Sequence, residues 1–197
     1  MSFRLRALAA ALALSPALGF AQTPAPAADA GSGLRVLLGV SLTGGGDTLA
    51  TVRYTDGSSQ NISSGGFVQL FGGAEYDTGS VVVQATLGYH VDDTTASNGS
   101  VKFARYPAEL LGLAKLGDHW RLGGGVRKAL NARVTSSGAA RGSIGGLEFD
   151  SELGFVLQLE RHFGPGSVFG RVVAEKYTVG REKIDGNHLG LGVAYRF

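Results

Sequence analysis

From residue 33 onward, apolar and polar side chains alternate along the chain with a period of two. The last stretch reads HLGLGVAYRF and places its Leu, Val, Tyr and Phe side chains on one face and its His, Gly, Ala and Arg residues on the other. Because successive side chains of a β-strand point to opposite faces, this pattern predicts strands with one apolar face. Eight segments of this kind follow one another: LRVLLGVSLT, FVQLFGGAEY, VVVQATLGYHV, ARYPAELLGLAKL, WRLGGGVR, LEFDSELGFVLQLE, VFGRVVAEKYTV and HLGLGVAYRF.

The segments are typically about 9 to 13 residues long, whereas most strands of globular proteins have about 5 to 6. A tilted strand that crosses a bilayer needs about 9 to 11 residues. The tight turns DTG, GDH and PG alternate with longer polar loops at 43–66, 92–102, 128–147 and 180–187. Short turns at one end and long loops at the other are typical of bacterial outer-membrane proteins. Residues 33–197 are therefore predicted to form an all-β, eight-stranded antiparallel up-and-down transmembrane β-barrel.

A secreted β-sandwich or lipocalin would show the same alternation with the two faces exchanged. Two observations favour the membrane protein, together with an even strand count that places both termini at the same end. The polar face is rich in glycine, which suits a crowded narrow lumen: Gly123, Gly125, Gly190 and Gly192. Aromatic residues lie at strand ends near the short turns, as an interfacial girdle requires: Tyr76, Trp120, Phe163, Tyr195 and Phe197.

The first 21 residues have the pattern of a secretory signal peptide. Arg4 and Arg6 precede an apolar run that Pro16 interrupts, and small residues follow at Gly19 and Ala21. The alternative is an N-terminal amphipathic helix. Residues 22–32, QTPAPAADAGS, are expected to be a flexible periplasmic linker because they are rich in Pro, Ala and Gly and lack periodicity.

The amino-acid composition limits which bonds, metal sites and partners the protein can have. The chain has no cysteine, which excludes disulfides and thiolate ligands. Two of its 18 basic residues belong to the predicted leader, so 16 remain against 16 acidic residues, and the balance gives no argument for nucleic-acid binding. Four scattered histidines show no metal-ligand spacing. We therefore expect no metal and no cofactor.

The terminal VAYRF resembles the C-terminal strand of bacterial outer-membrane barrels, and residues 33–197 resemble the small eight-stranded outer-membrane β-barrel superfamily of opacity-type, OmpX-like and OmpA-barrel proteins. The resemblance implies that the barrel-assembly machinery reads the last aromatic residue, Phe197, after periplasmic chaperones deliver the chain. The alternative for Phe197 is a simple place in the girdle with Tyr195, Trp120 and Tyr76.

An eight-stranded barrel has an interior that side chains can just fill, so charges there must pair. A three-residue GDH turn would place Leu116 opposite Trp120 and Glu109 opposite Arg127. A two-residue turn at Pro165–Gly166 would place Glu160 opposite Arg171. The predicted lumen ion-pair residues are Glu109, Arg127, Glu160, Arg171, Glu152, Glu175 and Arg105. The alternative role for these residues is proton or ion conduction.

Some barrels of this size modify lipid A, which needs a serine nucleophile, a histidine base and a carboxylate. The candidates are His90 with Asp92 or Asp93, and His188 with Asp185. Neither a His-x-Ser motif nor a Gly-x-Ser-x-Gly elbow is present. We therefore predict a non-catalytic protein, with a narrow channel as the alternative and a lipid A-modifying enzyme as the second alternative.

The long loops are the predicted functional surface. The first loop, 43–66, holds two β-prone runs around Asp56–Gly57 and is expected to form an extracellular hairpin suited to adhesion or envelope contacts, or merely to cap the lumen. Arg133 and Arg141 in another loop could contact lipopolysaccharide. The sequence thus predicts a monomer in the cell outer membrane, with periplasmic termini and extracellular loops, in contact with membrane lipid and lipopolysaccharide.

Overall fold

The computed structural model describes residues 33–53, 59–96, 99–138 and 146–197. The predicted signal peptide, the linker, Asp56–Gly57 and Arg141 lie outside these residues. Within them, no helix is long and apolar enough to cross a membrane. The strands are β1 (Leu34–Gly45), β2 (Thr48–Arg53), β3 (Ser59–Ser63), β4 (Phe67–Asp77), β5 (Val81–Ala96), β6 (Gly99–Leu116), β7 (Trp120–Gly138), β8 (Leu147–Ser151), β9 (Gly154–Phe163), β10 (Gly166–Ala174), β11 (Lys176–Val179), β12 (Glu182–Asp185) and β13 (His188–Arg196).

Eight of these strands close into a ring in which every neighbour is antiparallel. The order is β7-β6-β5-β4-β1-β13-β10-β9, and β9 returns to β7. The first and last strands pair with each other, from Leu37 opposite Arg196 to Gly45 opposite His188. The short turns that join β4 to β5, β6 to β7 and β9 to β10 all lie at one end, which we call the turn end; the opposite end is the loop end. The predicted eight-stranded antiparallel barrel is confirmed.

The apolar face of the barrel points outward. Leu191 and Leu34 are 73% and 72% exposed, and long rows of leucine, valine and phenylalanine share this outer surface. The inner face carries buried Arg, Glu, Gln and Ser side chains. A soluble sandwich or lipocalin would place these faces the other way round. The orientation of the side chains therefore decides between the two folds in favour of the membrane barrel.

Three barrel strands continue well beyond the length that a bilayer requires. β5, β6 and β7 have 16, 18 and 19 residues, against about 9 to 11 for a spanning strand. At the loop end β8 pairs with β7, β11 with β8, and β12 with β11. We call these pieces together the loop-end sheet: the distal parts of β5–β7 with β8, β11 and β12.

The loop-end sheet has the opposite polarity to the barrel. Val101, Phe103, Phe149 and Tyr177 are buried on its inner side, where Ile62 of the β2–β3 hairpin packs against them. Lysine, arginine, aspartate and glutamate side chains lie on its outer side. Apolar residues turned inward and charged residues turned outward are the arrangement of a protein surface in water. The change of polarity marks the edge of the lipid-facing band.

A β-bulge lies at this edge. Ala104 pairs with Arg133 and Tyr106 with Leu130, so Arg105 of β6 faces two residues of β7. One of the two, Asn131, has a φ of 49°, a left-handed conformation that asparagine tolerates better than most residues. The extra residue exchanges the faces of β7, so that odd-numbered positions point inward before the bulge and even-numbered positions after it.

Two of the eight predicted strands are interrupted. The segment LEFDSELGFVLQLE divides into β8 and β9 around Glu152 and Leu153, and VFGRVVAEKYTV divides into β10 and β11 at Glu175. In each case the piece nearer the loop end, β8 or β11, belongs to the loop-end sheet, where the two pair with each other. Alternation alone did not reveal these breaks.

Candidate functional site

Charged side chains from six strands form two groups in the lumen. The group nearer the turns, which we call the turn-end cluster, consists of Glu75, Glu160, Arg121, Arg196 and Ser167. Arg196 Nε donates to Glu75 Oε2 at 2.8 Å, and Arg121 Nη1 lies 3.3 Å from the same oxygen. Arg196 also binds Glu160, which accepts a hydrogen bond from Ser167. Two guanidinium groups and two carboxylates balance in charge.

The second group, the central cluster, consists of Glu109, Glu175, Arg105, Arg127 and Arg171. Glu109 lies between Arg127 and Arg171, whose Nη1 atom is 3.1 Å from Glu109 Oε2. Arg127 Nε donates to Glu175 Oε2 at 2.8 Å. All five side chains are nearly or completely buried. The cluster has three guanidinium groups for two carboxylates, and neutral acceptors take further donors: Arg171 Nη2 donates to Gln158 Oε1 at 2.7 Å and Arg127 Nη1 to Gln69 Oε1 at 3.1 Å.

Arg105 is the least satisfied member of the central cluster. Its Nε atom is 3.9 Å from Glu175 Oε1, and its Nη2 atom is 3.2 Å from His90 Nε2. Its Nε and Nη1 atoms have no hydrogen-bond partner within the described residues. The guanidinium carbon lies 4.7 Å from the ring centre of Phe103, where the aromatic face offsets part of the lost hydration.

A layer of apolar side chains separates the two clusters. Along β10 the inward residues are Ser167, Phe169 and Arg171, so one phenylalanine stands between the clusters. Along β4 Phe71 does the same, and its ring meets that of Phe169 edge-on with centres 5.8 Å apart. Glycines opposite these rings make the space: a β-carbon on Gly39 would lie 2.3 Å from Phe71 Cζ. Side chains rather than an open pore therefore occupy this level of the lumen.

The predicted hairpin register of β6 and β7 agrees with the structure. Leu116 lies opposite Trp120, and Glu109 lies opposite Arg127, with which it forms an ion pair. Glu175 and Arg105, the other two predicted lumen residues of this region, join the same cluster.

The predicted pairing of Glu160 with Arg171 is wrong. Phe163 pairs with Gly166, so the turn consists of Gly164 and Pro165 rather than Pro165 and Gly166. Gly164 takes a φ of 59°, which proline with its φ locked near −65° cannot adopt. The shift places Arg171 opposite Gln158, and Arg171 reaches across the lumen to Glu109 instead.

Glu152 is also misplaced by the sequence pattern. It lies in the break between β8 and β9, outside the barrel strands, with an exposed side chain that accepts a hydrogen bond from Lys183 Nζ at 2.9 Å. This hydrogen bond lowers the pKa of the Glu152 carboxyl. The prediction assumed that the alternation continues through residues 151–154. The strand breaks there, so Glu152 does not point into the lumen.

Three lumen residues were not predicted as ion-pair partners, namely Glu75, Arg121 and Arg196. Glu75 and Arg196 are 121 positions apart, and Glu75 and Arg121 are 46 apart. Hairpin registers pair only adjacent strands, and these contacts cross the lumen. The sequence did offer one indication that the three residues meet: each lies on the polar face of its strand, near the turn end.

Among the described residues, neither histidine of the candidate triads forms a hydrogen bond with a serine side chain. His90 contacts Thr43 Oγ1 at 2.8 Å and the guanidinium groups of Arg105 and Arg127. His188 Nδ1 is 2.8 Å from the carbonyl oxygen of Gly186. Asp92 instead accepts the backbone N–H of Ser63, and Asp185 accepts that of Asn187. Neither predicted arrangement has the geometry of an activated nucleophile.

Residues 10–197 match the family described as outer membrane protein beta-barrel domain. The chain belongs to this family. Membership places this outer-membrane barrel in the outer membrane of a Gram-negative cell. A comparison with curated protein sequences finds no significant match.

Three solved structures of other proteins are similar to this outer-membrane barrel. Ail, the attachment invasion locus protein of Yersinia pestis, is 14% identical with a TM-score of 0.49, over 83% of this chain and 97% of that chain. Neisserial surface protein A is 14% identical with a TM-score of 0.46, over 85% and 99%. The outer membrane protein AlkL is 15% identical with a TM-score of 0.39, over 89% and 95%.

The predicted girdle residues of this outer-membrane barrel all lie on its outer surface at the turn end. Tyr76, Trp120, Tyr195 and Phe197 are exposed, and the rings of Tyr195 and Phe197 meet with centres 5.0 Å apart. The backbone N–H of Phe197 donates to the carbonyl of Val36 at 3.0 Å, which attaches the last residue to the first strand. Aromatic side chains with one apolar and one polar surrounding are favoured at the membrane–water interface.

Proposed function

We propose that this protein is a non-catalytic outer-membrane barrel whose loop-end sheet makes contacts outside the cell. The observation that carries the proposal is the reversal of polarity beyond the bulge at Asn131. A strand of 19 residues spans about 60 Å, which exceeds the hydrocarbon thickness of about 30 Å even when it is tilted. The excess is a folded, water-facing sheet with its own apolar core, and such a structure is suited to present a surface.

The outer face of the loop-end sheet carries charges of both signs in neighbouring rows. Arg133 lies opposite Glu148, and Thr178 lies between Asp150 and Lys183 on the adjacent strands. The edge strand β12 carries Glu182 and Lys183, and charged edges discourage the addition of another strand. We therefore infer that partners bind the face of the sheet through polar contacts, with lipopolysaccharide phosphates near Arg133 as one source of such contacts.

The proposal places the termini and short turns in the periplasm and the loop-end sheet outside. The chain has no cysteine, so single cysteines can be introduced and labelled selectively. Thr135→Cys, on the loop-end sheet, should react with a membrane-impermeant maleimide on intact cells. Asp118→Cys, in a short turn, should react only after the outer membrane is permeabilised. Labelling in the reverse pattern would refute the orientation.

A narrow channel is the alternative function, and the filled lumen speaks against it. The clusters are separated by Phe71 and Phe169, and a conducting path needs continuous water. The purified protein in planar bilayers should show no discrete conductance steps. Steps that disappear when Arg171 is replaced with glutamine would overturn the non-conducting part of the proposal.

The interaction role is tested by changing the outer face without touching the core. Arg133→Ser, Asp150→Ser and Lys183→Ser combined should reduce cell aggregation and adherence to protein-coated surfaces in cells that produce the protein. Asp118→Ser, an exposed change at the turn end, is the matched control and should leave both unchanged. Equal adherence of the triple variant, the control and the unmodified protein would contradict the proposal. A lipid A mass unchanged by overproduction would support the absence of catalysis.

For biogenesis we propose that Phe197 is read by the barrel-assembly machinery after periplasmic chaperones deliver the chain. We also propose that the folded barrel is a monomer. Electrophoresis under non-denaturing conditions would refute the second proposal if the folded protein migrated as a dimer or larger species.

A further inference from the structure

Two apolar grooves lie side by side on the lipid-facing surface of β1, β13, β10 and β9. The larger has a volume of about 800 Å³ and the smaller about 580 Å³. They share the side chains of Val40, Phe163, Val168 and Val193 as a common wall. Both volumes fall within the range of about 300 to 1,000 Å³ that is usual for small-molecule sites.

The larger groove exists because one outward position has no side chain. Gly170 of β10 lies opposite Leu159 of β9 and Leu191 of β13, and all three point to the lipid side. A β-carbon at Gly170 would meet only Leu191 Cδ2, at 3.5 Å. The glycine therefore leaves a groove between two rows of leucine.

A cation stands at the turn-end mouth of this groove. Arg161 points outward from β9, and its guanidinium carbon lies 5.4 Å from the ring centre of Trp120 and 5.0 Å from that of Phe163. Within the described residues Arg161 forms no salt bridge; the two ring contacts are its only side-chain interactions given by the structure. Stacking on two aromatic faces restricts the side chain and leaves its N–H donors free for a ligand.

Depth in the membrane identifies the ligand chemistry. Trp120, Phe163 and Tyr195 belong to the turn-end girdle, which lies at the level of the lipid headgroups. At this level the guanidinium group can bind a phosphate. The two grooves lead from it into the apolar band, and each can hold one hydrocarbon chain. Together they fit a phosphate that is joined to two such chains. Arginine binds phosphate through paired, charge-assisted hydrogen bonds.

We propose that these two grooves bind one diacyl glycerophospholipid, with its phosphate on Arg161 and one acyl chain in each groove. Phe163 stands where the grooves meet, so it separates the chains just below the glycerol. The site lies entirely on the barrel wall at the turn end and is independent of the loop-end sheet, so failure of the surface-contact proposal would leave it standing.

The test is native mass spectrometry of the folded protein released from detergent, titrated with dioleoyl phosphatidylglycerol. Arg161→Gln should weaken binding about tenfold, since it removes the charge that meets the phosphate. Arg181→Gln, in the exposed turn between β11 and β12, is the matched control and should bind like the unmodified protein. Each variant should keep its heat-dependent gel mobility, which shows that the barrel is folded.

Two further arms separate the chain-binding and phosphate-binding parts of the site. Dioleoylglycerol, which lacks the phosphate, should bind weakly and equally to the protein and to Arg161→Gln, and inorganic phosphate should not bind. Gly170→Leu, which fills the larger groove, should weaken binding of both lipids. Equal phosphatidylglycerol binding by Arg161→Gln and Arg181→Gln would overturn the phosphate site. Unchanged binding by Gly170→Leu would overturn the groove, and preferred binding of purified lipid A would overturn the two-chain ligand.

Discussion

Replacing Glu109 with glutamine would remove the carboxylate that two buried guanidinium groups share. Arg127 would keep its second carboxylate, since its Nε atom is 2.8 Å from Glu175 Oε2. Arg171 would keep the neutral Gln158, whose Oε1 atom accepts from Nη2 at 2.7 Å, and the ring faces of Phe169 and Phe71. Among the described residues it would keep no carboxylate in a salt bridge. The main cost of Glu109→Gln therefore falls on one uncompensated charge at Arg171.

The magnitude follows from the burial of these groups. Removing one partner of a buried ion pair costs about 3 to 5 kcal/mol of unfolding free energy. Glutamine retains the shape and one acceptor oxygen, so we expect the lower end, about 3 kcal/mol, which is roughly a hundredfold change in the folded-to-unfolded ratio. The double variant Glu109→Gln, Arg171→Gln should lose less than Glu109→Gln alone, because it leaves no unpaired charge.

Urea unfolding in phospholipid vesicles measures this difference. Trp120 is the only tryptophan of the chain and faces lipid, so its fluorescence reports the exit of the barrel from the membrane. Glu152→Gln is the matched control: Glu152 pairs with Lys183 on the exposed surface, where an ion pair contributes little. Equal unfolding midpoints for Glu109→Gln and Glu152→Gln would refute the reasoning about the lumen.

Three other predictions concern the apolar core of the loop-end sheet, the glycines that line the lumen, and Phe197. Phe103→Ala should destabilise the loop-end sheet by about 3 to 5 kcal/mol and speed its proteolysis while the barrel keeps its heat-dependent gel mobility; unchanged proteolysis would contradict this. Gly39→Val should lower the free energy of unfolding by about 1 to 3 kcal/mol through overpacking, as measured by urea unfolding. Adding Phe71→Ala should recover part of this loss; no recovery would mean that the Phe71 ring is not the obstacle. Deleting Phe197 should lower the amount of folded protein in cells and leave refolding from urea unchanged; equal losses in both assays would indicate a structural role only.

The alternation of side chains predicted the barrel because each strand and each hairpin is formed by residues close together in the sequence. Alternation reports which side chains share a face, and a tight turn sets the register of the hairpin that it joins. Glu109 and Arg127 could therefore be paired from the GDH turn alone. The same method failed at the next hairpin because a proline was given a place that its backbone cannot take, and Arg171 was assigned to the wrong carboxylate.

Breaks and bulges were invisible for a different reason. At Asn131 one extra residue exchanges the faces of β7. At Glu152 one strand ends and another begins with a single glycine, Gly154, at the junction. Neither event changes the local composition enough to be noticed. The loop-end sheet was accordingly not predicted: most of its residues in β5–β7 and β12 fell in predicted loops, and β8 and β11 fell in predicted barrel strands.

The sequence by itself determined a series of long strands, each with one apolar face. Its glycine-rich polar face and its aromatic strand ends favoured a barrel that turns the apolar face to lipid over a lipocalin, which turns it inward. The tertiary structure alone decided which charges share the lumen and where an outward glycine opens a groove beside Arg161. The physical reason is that contacts across a closed barrel join residues such as Glu75 and Arg196, 121 positions apart. Their distance depends on the tilt and stagger of all eight strands at once.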